Sequence, residues 1–163
     1  MDIEIRLDDL SGPLTQALIA AHLAGMHDSS PAESVHALDL DRLRHPSITF
    51  WSAWDGDQLA GIGALKMLDE RNAPEQRAEI KSMRVDESYL GTGIGRRMLR
   101  HIVAVARGRG CTSVWLETGS TVEFVPARAL YASEGFVECG PFGDYVHDPY
   151  SVFMTLDLTR AGV

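Results

Sequence analysis

Between a candidate strand and a candidate helix the chain carries Leu90-Gly91-Thr92-Gly93-Ile94-Gly95-Arg96-Arg97. The three glycines remove side chains, so backbone N–H groups can approach an anion closely. The helix that follows adds the positive end of its dipole. Arg96, Arg97, Arg100, Arg107 and Arg109 lie on or just after that helix, five of the chain's fifteen lysines and arginines. In a protein of net charge −8 this basic concentration suits a phosphorylated ligand. The spacing is not G-x-G-x-x-G, because Arg96 follows Gly93-Ile94-Gly95, and no G-K-[ST] closes the loop. Dinucleotide and nucleoside triphosphate readings are therefore weak.

The segment before this loop, Arg77 to Val85, reads as a strand that places Glu79, Lys81 and Arg84 in the middle of a sheet. Strand alternation sends Glu79, Lys81, Met83 and Val85 to one face, where Lys81 can pair with Glu79. His22, His27, His36 and His45 lie in or beside the N-terminal helical region. His22 and His27 do not have the i, i+4 spacing of a helical metal pair and no H-E-x-x-H occurs, so no metal is expected. Cys139 as a nucleophile would require an acyl-enzyme route, and His147 stands at no informative spacing; a small buried cysteine is the better reading.

The elements that must position these residues follow from periodicity. Ile3 to Leu7 alternates as a strand, and Pro13 opens a helix that runs to Met26. A second helix is predicted from Glu33 to Arg44, stopped before His45-Pro46. Ser47 to Trp54 and Gln58 to Leu68 are strands joined through the Asp55-Gly56 turn. From Ile94, the positions Met98, Leu99, Ile102, Val103 and Ala106 make an amphipathic helix ended by Gly108 and Gly110. Thr112 to Glu117, Phe136 to Cys139 and Ser151 to Leu158 read as strands, with a short helix over Pro126 to Ser133. No repeat or linker interrupts this order, so residues 1–163 read as one α/β domain, a mixed sheet with helices on both faces.

Composition bounds the function. The charge of −8 argues against affinity gained by neutralising nucleic-acid phosphates. No apolar run approaches the ~18–20 residues of a membrane span, and the charged start lacks the layout of a signal peptide. The two cysteines, Cys111 and Cys139, make no disulfide framework, and the expected location is the cytoplasm.

Glu79-Ile80-Lys81-Ser82-Met83-Arg84-Val85, followed by Tyr89-Leu90-Gly91-Thr92-Gly93-Ile94-Gly95, resembles the fourth strand and pyrophosphate loop of the GNAT (GCN5-related N-acetyltransferase) superfamily. Ala127-Arg128-Ala129-Leu130-Tyr131 with Glu134-Gly135-Phe136 is similar to that superfamily's A-x-x-L-Y…G-F element. Ser30-Pro31, Ser34 to Asp39 and Cys139 to Tyr145 resemble a bacterial branch often called YsnE-like. Two positions depart from the pattern: Leu90 stands where the loop usually opens with Gln or Arg, and Phe124 where an Asn is frequent.

The resemblance implies the GNAT fold: a central mixed, mostly antiparallel, twisted sheet of about six to seven strands with about four helices. It implies acetyl-coenzyme A as donor, its pyrophosphate on Leu90, Gly91, Thr92, Gly93, Ile94, Gly95 and Arg96. The pantetheine arm would run along the backbone of Met83 and Val85. The reaction implied is direct transfer of the acetyl group to a primary amine of a small molecule. An alkylammonium has a pKa near ~10, so a base must take its proton before attack. Glu79 is the first candidate, unless it serves as the ion-pair partner of Lys81, and Glu117 is the reserve. Tyr131 would protonate the departing thiolate. His27, His36, Phe142 and Tyr145 are candidates for the acceptor site. The alternatives are acetylation of a protein amine and a non-catalytic coenzyme A sensor. Neither nucleic acid nor membrane is expected as a partner, and the resemblance admits a homodimer.

Overall fold

Strand-forming runs and one tight turn build the first half of the sheet. β1 (Ile3–Leu7), β2 (Ile48–Asp55), β3 (Gln58–Met67) and β4 (Arg77–Val85) pair antiparallel in neighbouring order. The computed structural model describes residues 1–159. α3 (Ile94–Gly108) carries the chain across to β5 (Ser113–Gly119), which lies parallel to β4. Such a parallel neighbour needs a crossover of this kind. After α4 (Val125–Ser133), β6 (Val137–Cys139) and β7 (Ser151–Asp157) complete the order β1-β2-β3-β4-β5-β7-β6.

Each face of the sheet has its own helical cover. α3 packs Ile94, Met98, Leu99 and Ile102 with Leu65, Ala78 and Ile80. On the other face α1 (Pro13–Ser29) and α2 (Leu40–Leu43) pack Leu18, Ile19 and Leu43 with Phe50, Ile62 and Ala64. No helix among the described residues is long and apolar enough to cross a membrane.

The second predicted helix, Glu33 to Arg44, does not form. A single 3₁₀ turn at Ala32–Ser34 gives way to residues 35–39 without helix, and only Leu40–Leu43 are α-helical. Three contacts explain this. Ser34 Oγ donates to Asp148 Oδ2 at 2.6 Å, and Lys81 Nζ donates to the His36 carbonyl at 3.1 Å. The Asp39 carboxylate accepts from the Arg42 N–H at 2.9 Å and so starts the helix at Leu40. Tertiary anchors here outweigh local propensity.

Strict alternation also fails within β4. Ala64 faces Lys81 and Ile62 faces Arg84, so Gly63 alone stands opposite both Ser82 and Met83. This is a β-bulge, with Ser82 in the left-handed region at φ 56°. The bulge separates the residues expected to share a face. Glu79 and Lys81 stay together, while Met83 and Val85 turn to the α3 side and pack on its core. A Cβ on Gly63 would stand 2.8 Å from Met98 Cγ, 2.9 Å from Ile102 Cδ1 and 3.0 Å from Met83 Sδ. Gly63→Ala should therefore overpack the α3 interface and cost about 1–3 kcal/mol, read as a lowered midpoint in urea unfolding with an unchanged slope.

Candidate active site

β4 and β5 share ladder positions only from Arg77–Ser113 to Glu79–Trp115. Beyond these the strands separate, and a cavity of about 90 Å³ occupies the gap. β4 supplies Lys81, Ser82 and Met83 to its wall, β5 supplies Glu117 and Thr118, α1 supplies His22, and α4 supplies Tyr131. Phe124 also lines it, with its ring against Gly119, where an added Cβ would fall 2.1 Å from the ring. Phe124 thus closes the cavity with an apolar wall at one of the two positions that depart from the pattern the chain resembles.

Glu79 does not line this cavity. It is 2% exposed, beside Lys81 at 9%. Lys81 Nζ donates to Glu79 Oε2 at 3.3 Å, to Tyr145 Oη at 2.8 Å and to the His36 carbonyl at 3.1 Å. Tyr145 Oη in turn donates to Glu79 Oε2 at 2.6 Å. All three ammonium protons of Lys81 are thereby engaged. Burial first, then the Glu79 charge, pushes the Tyr145 phenol far above its ordinary value. Of the two roles considered for Glu79, the geometry displays the ion pair with Lys81.

Glu117 stands in a different environment. Burial raises its carboxyl to about 7, against a lesser lowering by Ser151 and Lys81. Tyr131 is buried and tilted against Phe136, with ring centroids 5.9 Å apart. Burial, then the Glu117 charge, raises its phenol to about 12. Among the described residues no group hydrogen-bonds its hydroxyl, which is left to the cavity that Tyr131 lines.

The acceptor-side candidates divide. His36 is on the cavity wall and its ring meets Tyr145 edge-on at 4.9 Å. His27 is exposed at the end of α1, off the wall. Leu18, His22 and Met26 follow one another at helical i, i+4 spacing on the inward stripe, and His27 is a further ~100° around the helix. His22 therefore occupies the place considered for His27, and the stripe that holds it was the signal available in the sequence. Phe142 and Tyr145 lie behind the wall, in an aromatic cluster with Trp115 and Phe153.

The glycine-rich loop presents backbone to solvent. Gly91 and Gly93 have φ of 76° and 89°, and an added Cβ on either meets nothing within 4 Å. Glycine is required here by conformation, and the space above it is open. Gly93 is the N-cap of α3 and no side chain caps that end, so first-turn N–H groups remain for a phosphate. Leu90 is 65% exposed at the loop's entry. The arginine concentration is partly committed elsewhere: Arg96 and Arg100 converge on Glu134, whose carboxyl they hold below its ordinary value. Arg97 Nη2 reaches the Ile3 carbonyl at 3.3 Å and Arg109 Nη2 the Thr49 hydroxyl at 2.9 Å. What the loop offers a ligand is therefore mainly backbone.

Comparison with known proteins agrees with this geometry. The sequence profile of the Acetyltransferase (GNAT) family matches residues 15–136. The chain is 52% identical over 156 residues to the uncharacterized N-acetyltransferase YsnE of Bacillus subtilis, covering 96% of this chain and 100% of that protein. It is 49% identical over 154 residues to the uncharacterized N-acetyltransferase YedL of Escherichia coli, covering 94% of each. A Klebsiella pneumoniae crystal structure described as an acyl-CoA N-acyltransferase superposes with a TM-score of 0.75 at 26% identity, covering 96% of this chain and 97% of that one.

The Glu79–Lys81–Tyr145 contact makes a direct prediction about stability. Lys81→Ala leaves a carboxylate buried without its cation and should cost about 3–5 kcal/mol in denaturant unfolding. The double variant Glu79→Leu/Lys81→Met, which removes both charges, should recover most of that loss.

Proposed function

The chain belongs to the GNAT family of acetyltransferases, and on that premise we propose that it moves an acetyl group from acetyl-coenzyme A directly to a primary amine of a small molecule. The observation that carries the reading is the single cavity shared by Glu117, at about 7, and an unbonded Tyr131 hydroxyl where β4 and β5 part.

The residues fit the donor. Backbone N–H groups of Gly91 and of Gly93 to Arg96 would hold its pyrophosphate, the Thr92 N–H being given to the Tyr89 carbonyl at 3.3 Å and Leu90 adding no polar side chain. The β4 edge toward β5 has no strand partner past Glu79, so the backbone at Met83 and Val85 remains available to the amides of the pantetheine arm. The buried Ser82 hydroxyl on the cavity wall has no partner among the described residues, as a site awaiting a polar ligand would leave it. When bound, acetyl-coenzyme A supplies an activated thioester.

Glu117, rather than Glu79, takes the proton of the acceptor ammonium. Glu79 Oε2 already accepts from Tyr145 and Lys81, whereas Glu117 is ionised above about 7 and opens onto the cavity. From an ammonium near ~10 the transfer is uphill by about three units in water, and burial narrows the gap by lowering the amine. Tyr131, at about 12, keeps its proton throughout and would donate a hydrogen bond to sulfur as negative charge develops. A thiol near ~8.5 is the stronger acid, so stabilisation of the thiolate is the larger part of that role.

Glu117→Gln should lower kcat by about 10²-fold or more. In the unmodified enzyme the rate should fall as pH drops below about 7, because a protonated Glu117 is no longer a base. That acidic limb should vanish in Glu117→Gln; an unchanged profile would count against the assignment. Tyr131→Phe should slow turnover by roughly tenfold while the melting-temperature rise given by acetyl-coenzyme A persists. Gly93→Val, strained at φ 89°, should instead raise the KM for acetyl-coenzyme A.

A further inference from the structure

The β5–β7 ladder runs unbroken from Ser113 to Gly119, so Glu117 and Gly119 belong to one face of β5. Gly119 is buried and brings no side chain to that face. The ring of Phe124 fills the place, and an added Cβ on Gly119 would overlap its Cδ2 and Cε2. The ring is thus the next group along the strand from the Glu117 side chain, and both line the same cavity.

Three contacts hold the ring there. The Phe124 N–H donates to the Thr121 carbonyl at 3.1 Å. Arg128 Nη1 donates to the Gly119 carbonyl at 2.6 Å and to the Thr121 carbonyl at 3.2 Å, which ties α4 to both ends of the turn. Phe124, Ala127 and Tyr131 follow at i, i+3 and i+7, so one stripe brings the ring and the phenol to the cavity. Ile80 and Leu116 on the same wall are sealed in the core, whereas Phe124 is half-buried and so stands between the cavity and solvent.

Neighbouring charge is the lesser influence on Glu117. Burial comes first and raises its carboxyl; Ser151 and Lys81 lower it, and Glu79 and Asp148 raise it further. Tyr131 on α4, raised to about 12, and His22 on α1, lowered to about 4, are both uncharged near neutrality. His36 is lowered from its ordinary value by burial, then by Lys81. Arg128 is engaged by the two carbonyls of the turn.

We propose that Phe124 is a positioning residue for acetyl transfer: its ring, seated on Gly119, keeps water from the Glu117 carboxyl and maintains that group as the acceptor's base. This rests on the role given to Glu117 above and adds the residue that sustains it. A carboxylate kept from water is the better base, because hydration favours its charged form.

The test reads Glu117 itself, by NMR of the glutamate carboxyl carbons across pH, its signal identified by loss in Glu117→Gln. In the unmodified protein the midpoint should lie at about 7. In Phe124→Ala, where water enters, it should fall by about one pH unit or more. The acidic limb of the rate profile should move to lower pH by the same amount. Phe124→Leu, which keeps an apolar wall, should restore most of both. Amide spectra away from the turn should be unchanged in these variants, which separates loss of the ring from loss of fold. A midpoint that stays put in Phe124→Ala would overturn the proposal and leave amine acetylation standing. So would a midpoint that falls without moving the limb, since it would separate Glu117 from the rate. No thiol release from acetyl-coenzyme A with any amine would overturn the transferase reading, and this proposal with it.

Discussion

Past Glu79 and Trp115 the two central strands stop sharing ladder positions, and the cavity is built around that separation. The bulge at Ser82 accompanies it. An extra residue in β4 increases the local twist and carries the strand away from its parallel neighbour. Backbone groups that would have paired with β5 are released on one side. On the other, the gap is deep enough to hold a cavity between Met83, Glu117 and Tyr131. A left-handed serine is a strained conformation, and its surroundings must hold it in place.

That support comes in part from the buried Glu79–Lys81–Tyr145 contact. It joins β4 to residues 35–39 and to the segment around Tyr145 through side chains of opposite charge and a phenol. Two carboxylates on adjacent strands are thereby driven to different chemistry. Glu79 is compensated by a cation and a hydroxyl, while burial raises Glu117 toward neutrality. Environments that separate otherwise similar acids are a general way of assigning proton-transfer roles. The alternative, a base engaged in an ion pair, would need to lose its partners on each turnover.

The two faces of the sheet rest on different layers. The glycine-rich loop and α3 lie on the face where Met83 and Val85 pack. α1 covers the other face, with His22 toward the cavity and Gly25 against Arg84. The bulge lets a single strand serve both, because it reverses which residues look each way. Gly63, squeezed between Met83, Met98 and Ile102, marks how closely the first layer must approach the sheet.

Much of this was legible in the residues alone. The alternation of Ile3 to Leu7, the Asp55-Gly56 turn, the apolar stripe from Ile94 and the glycine loop are local signals, and the elements lie where these placed them. The predicted helix over Glu33 to Arg44 failed because its fate depends on Asp148 and Lys81, partners distant in the chain. The bulge was hidden because serine, not glycine, occupies the left-handed position, so periodicity ran on unbroken into Met83 and Val85. The sequence by itself determined most of the elements, their order and the glycine conformations of the loop, since these depend on contacts within a few residues. Which carboxylate is paired and which is left to the cavity, and which histidines face it, only the tertiary structure decided. Burial and charge compensation are properties of neighbours in space, and neither leaves a trace in the spacing of residues along the chain.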